Sequence, residues 1–163
     1  MYFYDNLIRN TPGGVNILGS NPTGGKVSRV TIRNNVFDNL SRSWGPKAMF
    51  LQLLSAVEGL NVSHNTVNLT EVDLAMSFDG APSTGCVFQS NVFPRGIYGV
   101  KGTGTGEGNA TLTKYRPGYV MTHNVMYGSG INLGLYPANN FVGSTQAVQP
   151  LEQGVWMQRW LRC

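Results

Sequence analysis

An eight-residue pattern recurs five times along the chain: apolar, any, apolar, mostly polar, any, Asn, any, apolar. The octets are Met1–Ile8, Val30–Phe37, Leu60–Val67, Cys86–Phe93 and Tyr119–Met126. Their asparagines, Asn6, Asn35, Asn65, Asn91 and Asn124, are spaced by 29, 30, 26 and 33 residues. Self-similarity at this period marks a stacked-repeat architecture, in which each unit covers the apolar side of the next.

Within each octet the residues before the Asn alternate, apolar facing one way and mostly polar the other. This is the period of a half-buried strand. Three places before the Asn stand Phe3, Ile32, Val62, Phe88 and Met121; two places after it stand Ile8, Phe37, Val67, Phe93 and Met126. The pattern predicts two short strands meeting at a bend that holds the Asn. An amide repeated at one bend bonds its copies above and below, as in stacked Asn ladders. A third apolar patch follows in each unit, at Val15–Leu18, Phe50–Leu53, Leu74–Phe78, Ile97–Val100 and Ile131–Leu133. Three short strands per repeat with no helical run between them predict an all-β parallel coil of about five turns. The alternative is an antiparallel sandwich of many short strands, but a sandwich does not need one residue at one bend five times.

On these octets and the Gly-rich segment Gly102–Asn109, the stretch Met1–Phe141 resembles the right-handed parallel β-helix repeat family, the pectin-lyase-like group. It looks closest to bacterial members of unassigned function that accompany secreted polysaccharide-degrading enzymes. The resemblance implies a right-handed solenoid, a polysaccharide or glycan partner, and an extracellular or periplasmic location for the intact protein. Calcium enters by resemblance only, and no other cofactor is implied. Such folds carry lyases, hydrolases, epimerases and non-catalytic adhesins, and a fold does not set an activity. Two readings stand: a piece of a carbohydrate-active protein, a polysaccharide lyase or glycoside hydrolase, or a non-catalytic glycan- or surface-binding repeat scaffold.

A length of 163 residues suits one domain. The net charge is +4, but the 12 basic residues are scattered and form no nucleic-acid stripe. No apolar run approaches the ~20 residues of a membrane span. The first octet begins at Met1 with no secretory leader ahead of it. The reading therefore expects a fragment that starts in mid-coil, with its leader upstream and its first coil uncapped and open to edge-to-edge self-association. It expects coils over residues 1–144. Residues 145–163 form an off-pattern tail, in which Leu151, Val155, Trp156, Trp160 and Leu161 either make a short helix or stay disordered.

Candidate chemistry is sparse. Hydrolysis of a sugar bond needs two converging carboxylates, and a lyase needs a base and a cation. The acids are spread along the chain, and the candidates are Asp79 and Glu107, with Lys101 and Arg116 as the cations. Asp79 also precedes Gly80, where an Asp-Gly turn explains it. Two interruptions, Ser41–Lys47 and Gly102–Pro117, are expected to gather on one loop-bearing face. Their aromatics, Trp44 and Tyr115, are candidates to stack on sugar rings. The Gly-rich segment lacks a phosphate-loop ending and is expected to open no helix. His64 and His123 occupy one repeat position two coils apart, about 9–10 Å by strand spacing. They read as bend residues and not as metal ligands, and no metal site is assigned. Cys86 reads as a small buried apolar residue.

Overall fold

The computed structural model describes residues 1–21, 23–71 and 73–143. The expected tail helix around Trp156 and Trp160 lies outside the described residues. The chain winds as a right-handed parallel β-helix. Its strands are β1 (Tyr2–Tyr4), β2 (Leu7–Thr11), β3 (Gly13–Leu18), β4 (Ser28–Arg33), β5 (Val36–Ser41), β6 (Met49–Leu54), β7 (Glu58–Ser63) and β8 (Thr66–Glu71). There follow β9 (Leu74–Asp79), β10 (Val87–Gln89), β11 (Val92–Pro94), β12 (Val100–Gly102), β13 (Val120–Thr122), β14 (Val125–Tyr127) and β15 (Phe141–Gly143). They stack as three sheets, in the orders β1-β4-β7-β10-β13, β2-β5-β8-β11-β14-β15 and β3-β6-β9-β12. Every strand pairing is parallel, so the sandwich alternative falls.

The repeat pattern sets the register. In the first sheet Phe3, Ile32, Val62, Phe88 and Met121 are successive partners. In the second, Ile8, Phe37 and Val67 stack, then Phe93, Met126 and Val142. In the third, Val15, Leu51, Met76 and Val100 stack. Ile32, Phe37, Leu51, Val62, Val67, Met76, Phe88 and Phe93 are fully buried. Each such side chain stabilises by about 1.5–3 kcal/mol on burial.

The bend between the first two sheets is built by a residue pair. The residue ahead of each ladder Asn is left-handed: Asp5, Asn34, His64, Ser90, His123 and Asn139, with φ between 54° and 63°. Asn, Asp and His are the non-glycine types most often found there, which accounts for both histidines. The Asn then turns its amide into the coil. Asn65 Nδ2 donates to Asn91 Oδ1 at 2.9 Å, and the Asn65 backbone N–H donates to the same oxygen at 3.0 Å. The same pair of hydrogen bonds joins Asn6 to Asn35, Asn35 to Asn65 and Asn91 to Asn124. A fifth rung, Asn124 to Asn140, adds a sixth asparagine and extends the ladder beyond the five octets.

Three expectations are corrected. The fourth third-sheet strand is β12, not Ile97–Val100. Gly96 and Gly99, both at positive φ, turn the chain there and leave Ile97 and Tyr98 exposed. No strand forms at Ile131–Leu133; a 3-10 turn, Leu133–Leu135, occupies that stretch, so four turns are complete in all three sheets. The segment after the Gly-rich loop does open a helix, α1 (Asn109–Tyr115). Its buried face is Thr111, Leu112 and Tyr115. Gly102 makes this packing possible, because a Cβ there would collide with the Tyr115 ring.

Candidate functional site

The outer face of the third sheet joins a polar row to a concave surface. Alternation along β3, β6, β9 and β12 sends Asn16, Gln52, Ser77 and Lys101 outward in one continuous row. The next outward row holds Leu18, Leu54 and Asp79. Asp79 and Lys101, expected from sequence as an acid and a cation, thus come to one face on neighbouring strands. Asp79 Oδ1 accepts from the Gly80 N–H at 2.8 Å, as an Asp-Gly turn requires. The Lys101 ammonium lies 4.7 Å from the centroid of the Tyr98 ring.

A groove of about 400 Å³ opens over the first two strands of this face. Its floor carries Gly13, Asn16, Met49 and Gln52, and its wall is Pro46 and Lys47. The wall belongs to the Ser41–Lys47 interruption, which is well tied. Ser41 Oγ accepts from the Ser43 N–H at 3.1 Å. Asp73 accepts from the Ala48 N–H at 3.2 Å and pairs with Arg42 at 3.6 Å. Gly45 lies against Pro12, where a Cβ would crowd the ring at 2.9 Å. Trp44, in the same loop but outside the lining of the groove, is 51 % exposed.

The groove's polar chemistry is that of amides. Asn16 Nδ2 donates to Gln52 Oε1 at 3.0 Å. That bond orients both side chains and leaves Asn16 Oδ1 as an acceptor and the Gln52 NH₂ as a donor. Sugar hydroxyls both donate and accept, so such a pair matches them. The sequence signal for it was a single polar residue inside the third apolar patches Val15–Leu18 and Phe50–Leu53.

Of the remaining candidates, Glu107 bridges Lys101 through the backbone but its carboxylate is occupied, Tyr115 is buried, and Arg116 is buried with Nε and Nη2 unpaired among the described residues. Glu107 receives Arg95 through two bonds, Nε at 2.9 Å and Nη2 at 2.6 Å, and Tyr136 Oη donates to it at 2.7 Å. Burial pushes the Tyr136 phenol well above its ordinary range, so it remains a donor, while accepting from the Val100 N–H at 3.2 Å. The hydrogen bond to Glu107 raises the Arg95 guanidinium in turn. Both Glu107 oxygens are filled, and the cluster ties the segment before α1 to the β11–β12 corner. Tyr115 is buried, and its Oη donates to the Thr103 carbonyl at 2.7 Å. Of the two expected stacking aromatics, Trp44 alone lies open.

Arg116 is fully buried with its guanidinium 5.1 Å from the Phe78 ring centroid, and Nη1 donates to Ser83 Oγ. Burial lowers its pKa, and nearby Cys86 opposes that shift. His64 is lowered first by burial and then by Arg33. His123 Nδ1 lies 3.0 Å from Thr122 Oγ1.

Charged groups meet in pairs: Arg9–Asp38, Lys26–Glu58, Arg42–Asp73 and Arg95–Glu107. Among the described residues no set of three or more His, Cys, Asp or Glu could hold a metal ion. No helix there is long and apolar enough to cross a membrane. Comparisons with protein-family models, curated proteins and solved structures found no match to this chain.

Proposed function

We propose that this β-helix is a glycan-binding repeat scaffold whose binding surface is the outer face of the third sheet. The observation that carries the reading is the groove, floored by the Asn16–Gln52 amide pair and walled by Pro46 and Lys47 of the loop that also holds the exposed Trp44. Amides supply paired donors and acceptors for hydroxyls, and an exposed indole supplies an apolar plane for the underside of a sugar ring. Polysaccharide is the ligand class that the resemblance to pectin-lyase-like proteins favours. The same resemblance favours an extracellular or periplasmic location for the intact protein.

A catalytic reading rests on one observation, Asp79 and Lys101 on adjacent strands of the same face. Glu107 bridges Lys101 on the neighbouring segment, but its carboxylate is held by Arg95 and Tyr136, and a glycosidase needs one protonated and one ionised acid free to act together. The test is isothermal titration of the full chain against a panel of neutral and acidic polysaccharides, with and without calcium. Each ligand is also assayed for new reducing ends and for unsaturated sugar products. Binding without product formation, lost in Gln52→Ala and Trp44→Ala, supports the scaffold. Product formation that Asp79→Asn abolishes overturns it in favour of the enzyme.

A further inference from the structure

The groove covers the first two strands of the third sheet, but the polar row continues past it. Asn16, Gln52, Ser77 and Lys101 are successive strand partners, so each coil presents one polar group at a step of about 4.8 Å. From Asn16 to Ser77 the row is uncharged. Beyond Lys101 the insert closes it: Glu107 bridges Lys101, and the Gly108 N–H donates to the Val100 carbonyl at 2.8 Å.

Two exposed aromatics stand along one side of this row. Trp44 lies in the connection from β5 to β6 and Tyr98 in the connection from β11 to β12. Both connections run from the second sheet into the third, and the strands they enter are two steps apart. Two steps amount to about 9–10 Å along the coil axis. Tyr98 is held beside the row, with its ring centroid 4.7 Å from the Lys101 ammonium and its N–H donating to the Asp73 carbonyl at 3.0 Å. The ammonium takes one face of the ring, and Tyr98 is still 46 % exposed. A single exposed tyrosine signals nothing. One that shares a corner with an exposed tryptophan, two coils along a polar row, defines a spacing.

We propose, resting on the assignment of this face to glycans, that Tyr98 is a second stacking platform and that the ligand is a neutral β-1,4-linked glycan lying along the coil axis. In such a chain the equatorial links keep the backbone extended, and each sugar advances it by close to one strand spacing. Successive rings flip, so every second ring presents the same face. One sugar then falls on each coil. Rings two units apart stack on Trp44 and Tyr98, while hydroxyls along the chain meet the Asn16–Gln52 amides and Ser77. An α-1,4-linked chain of neutral sugars coils and does not hold this step over two coils.

Titration calorimetry of the full chain against β-1,4-linked gluco-oligosaccharides of two to six units tests this, with the α-1,4-linked hexamer as the control. Affinity is expected to rise about five- to tenfold from the two-unit to the three-unit sugar, the first that reaches both aromatics. The α-linked hexamer is expected to bind about tenfold more weakly than the β-linked one. Tyr98→Ala is expected to remove the rise and leave the two-unit affinity in place, and Tyr98→Phe, which keeps the ring, to retain the rise. Circular dichroism establishes that both variants fold. A β-linked hexamer that binds no tighter than the α-linked one, or equally to wild type and Tyr98→Ala, overturns the proposal and leaves the scaffold reading standing. A chain that binds no polysaccharide, neutral or acidic, overturns both.

Discussion

The same amide serves opposite ends at two places in this coil. At Asn65 both side-chain polar atoms are consumed: Oδ1 takes two bonds from Asn35, and Nδ2 reaches Asn91 Oδ1 and the Ile32 carbonyl, each at 2.9 Å, and the Ser63 carbonyl at 3.1 Å. At Asn16 one bond to Gln52 is made and the rest of the amide faces outward. The first arrangement holds coils in register. The second keeps hydrogen-bonding capacity for a ligand. The difference follows from the corner each one serves. The ladder corner carries no insertion in any octet, whereas the connections running into and out of the third sheet carry the loop at 41–47 and the insert that holds α1. A corner that must stack tolerates no extra residue; a corner that need not stack accumulates them, and loops positioned by a rigid scaffold are where binding residues concentrate.

The largest expected effect sharpens this contrast. Asn65→Ala strips the acceptor from two Asn35 donors and leaves the Asn91 oxygen and two carbonyls short of their donor. Buried groups left unpaired cost about 1–3 kcal/mol each, and relaxation offsets part of that sum. A loss of about 3–5 kcal/mol is expected, read as a shift of the urea midpoint. Asn16→Ala, on an exposed outward position, is expected to move stability by less than about 0.5 kcal/mol. Equal losses at the two sites would break the distinction.

Next in size is the Glu107 cluster. Arg95 and Glu107 side chains are 18 % and 11 % exposed, so removing one partner strands the other in a largely dry setting. Glu107→Ala is expected to cost about 3 kcal/mol. Tyr136→Phe, which removes one hydrogen bond, is expected to cost about 1 kcal/mol. If both substitutions prove silent in thermal unfolding, the cluster does not tie the insert to the coil.

Smaller again are the groove substitutions. Gln52→Ala and Trp44→Ala should leave the melt in place while weakening glycan binding about five- to tenfold each, the range of one lost hydrogen bond or stacking contact. Titration calorimetry reads the affinity. A matching fall in stability would make Gln52 a ladder residue of a second kind.

The smallest effect is on pH dependence. The His64 pKa is depressed in the folded chain, chiefly by burial and secondarily by Arg33. The unfolded chain therefore binds the proton first as pH falls below about 6.5, and the stability present above that value is lost through the folded pKa. His64→Asn keeps a side chain that tolerates the left-handed bend and does not titrate. Its melting temperature should fall less than wild type's between neutral and mildly acidic pH. An unchanged pH slope would remove His64 from the account.

The parallel coil, its inward columns and five of the six ladder asparagines were readable from the octets, because each rests on a local period that the backbone converts directly into facing. Asn140 was missed because Pro137 and the short return after β14 replace the strand that introduces the other asparagines. Helix α1 was missed because glycines precede it and seven residues carry too little periodicity to signal a helix. Tyr115 read as an open aromatic and is buried, while Trp44 is open. An aromatic beside a loop faces solvent or core according to what packs on it, and here Gly102 on a neighbouring strand admits the Tyr115 ring. Arg95, Glu107 and Tyr136 belong to three separate segments and share no pattern. Residues meeting at such separations are chosen by how the coils and the insert close over one another. Stacking was thus decided by sequence periodicity; which side chains lie open to a ligand was decided only by the tertiary fold, because burial depends on neighbours that lie far away along the chain.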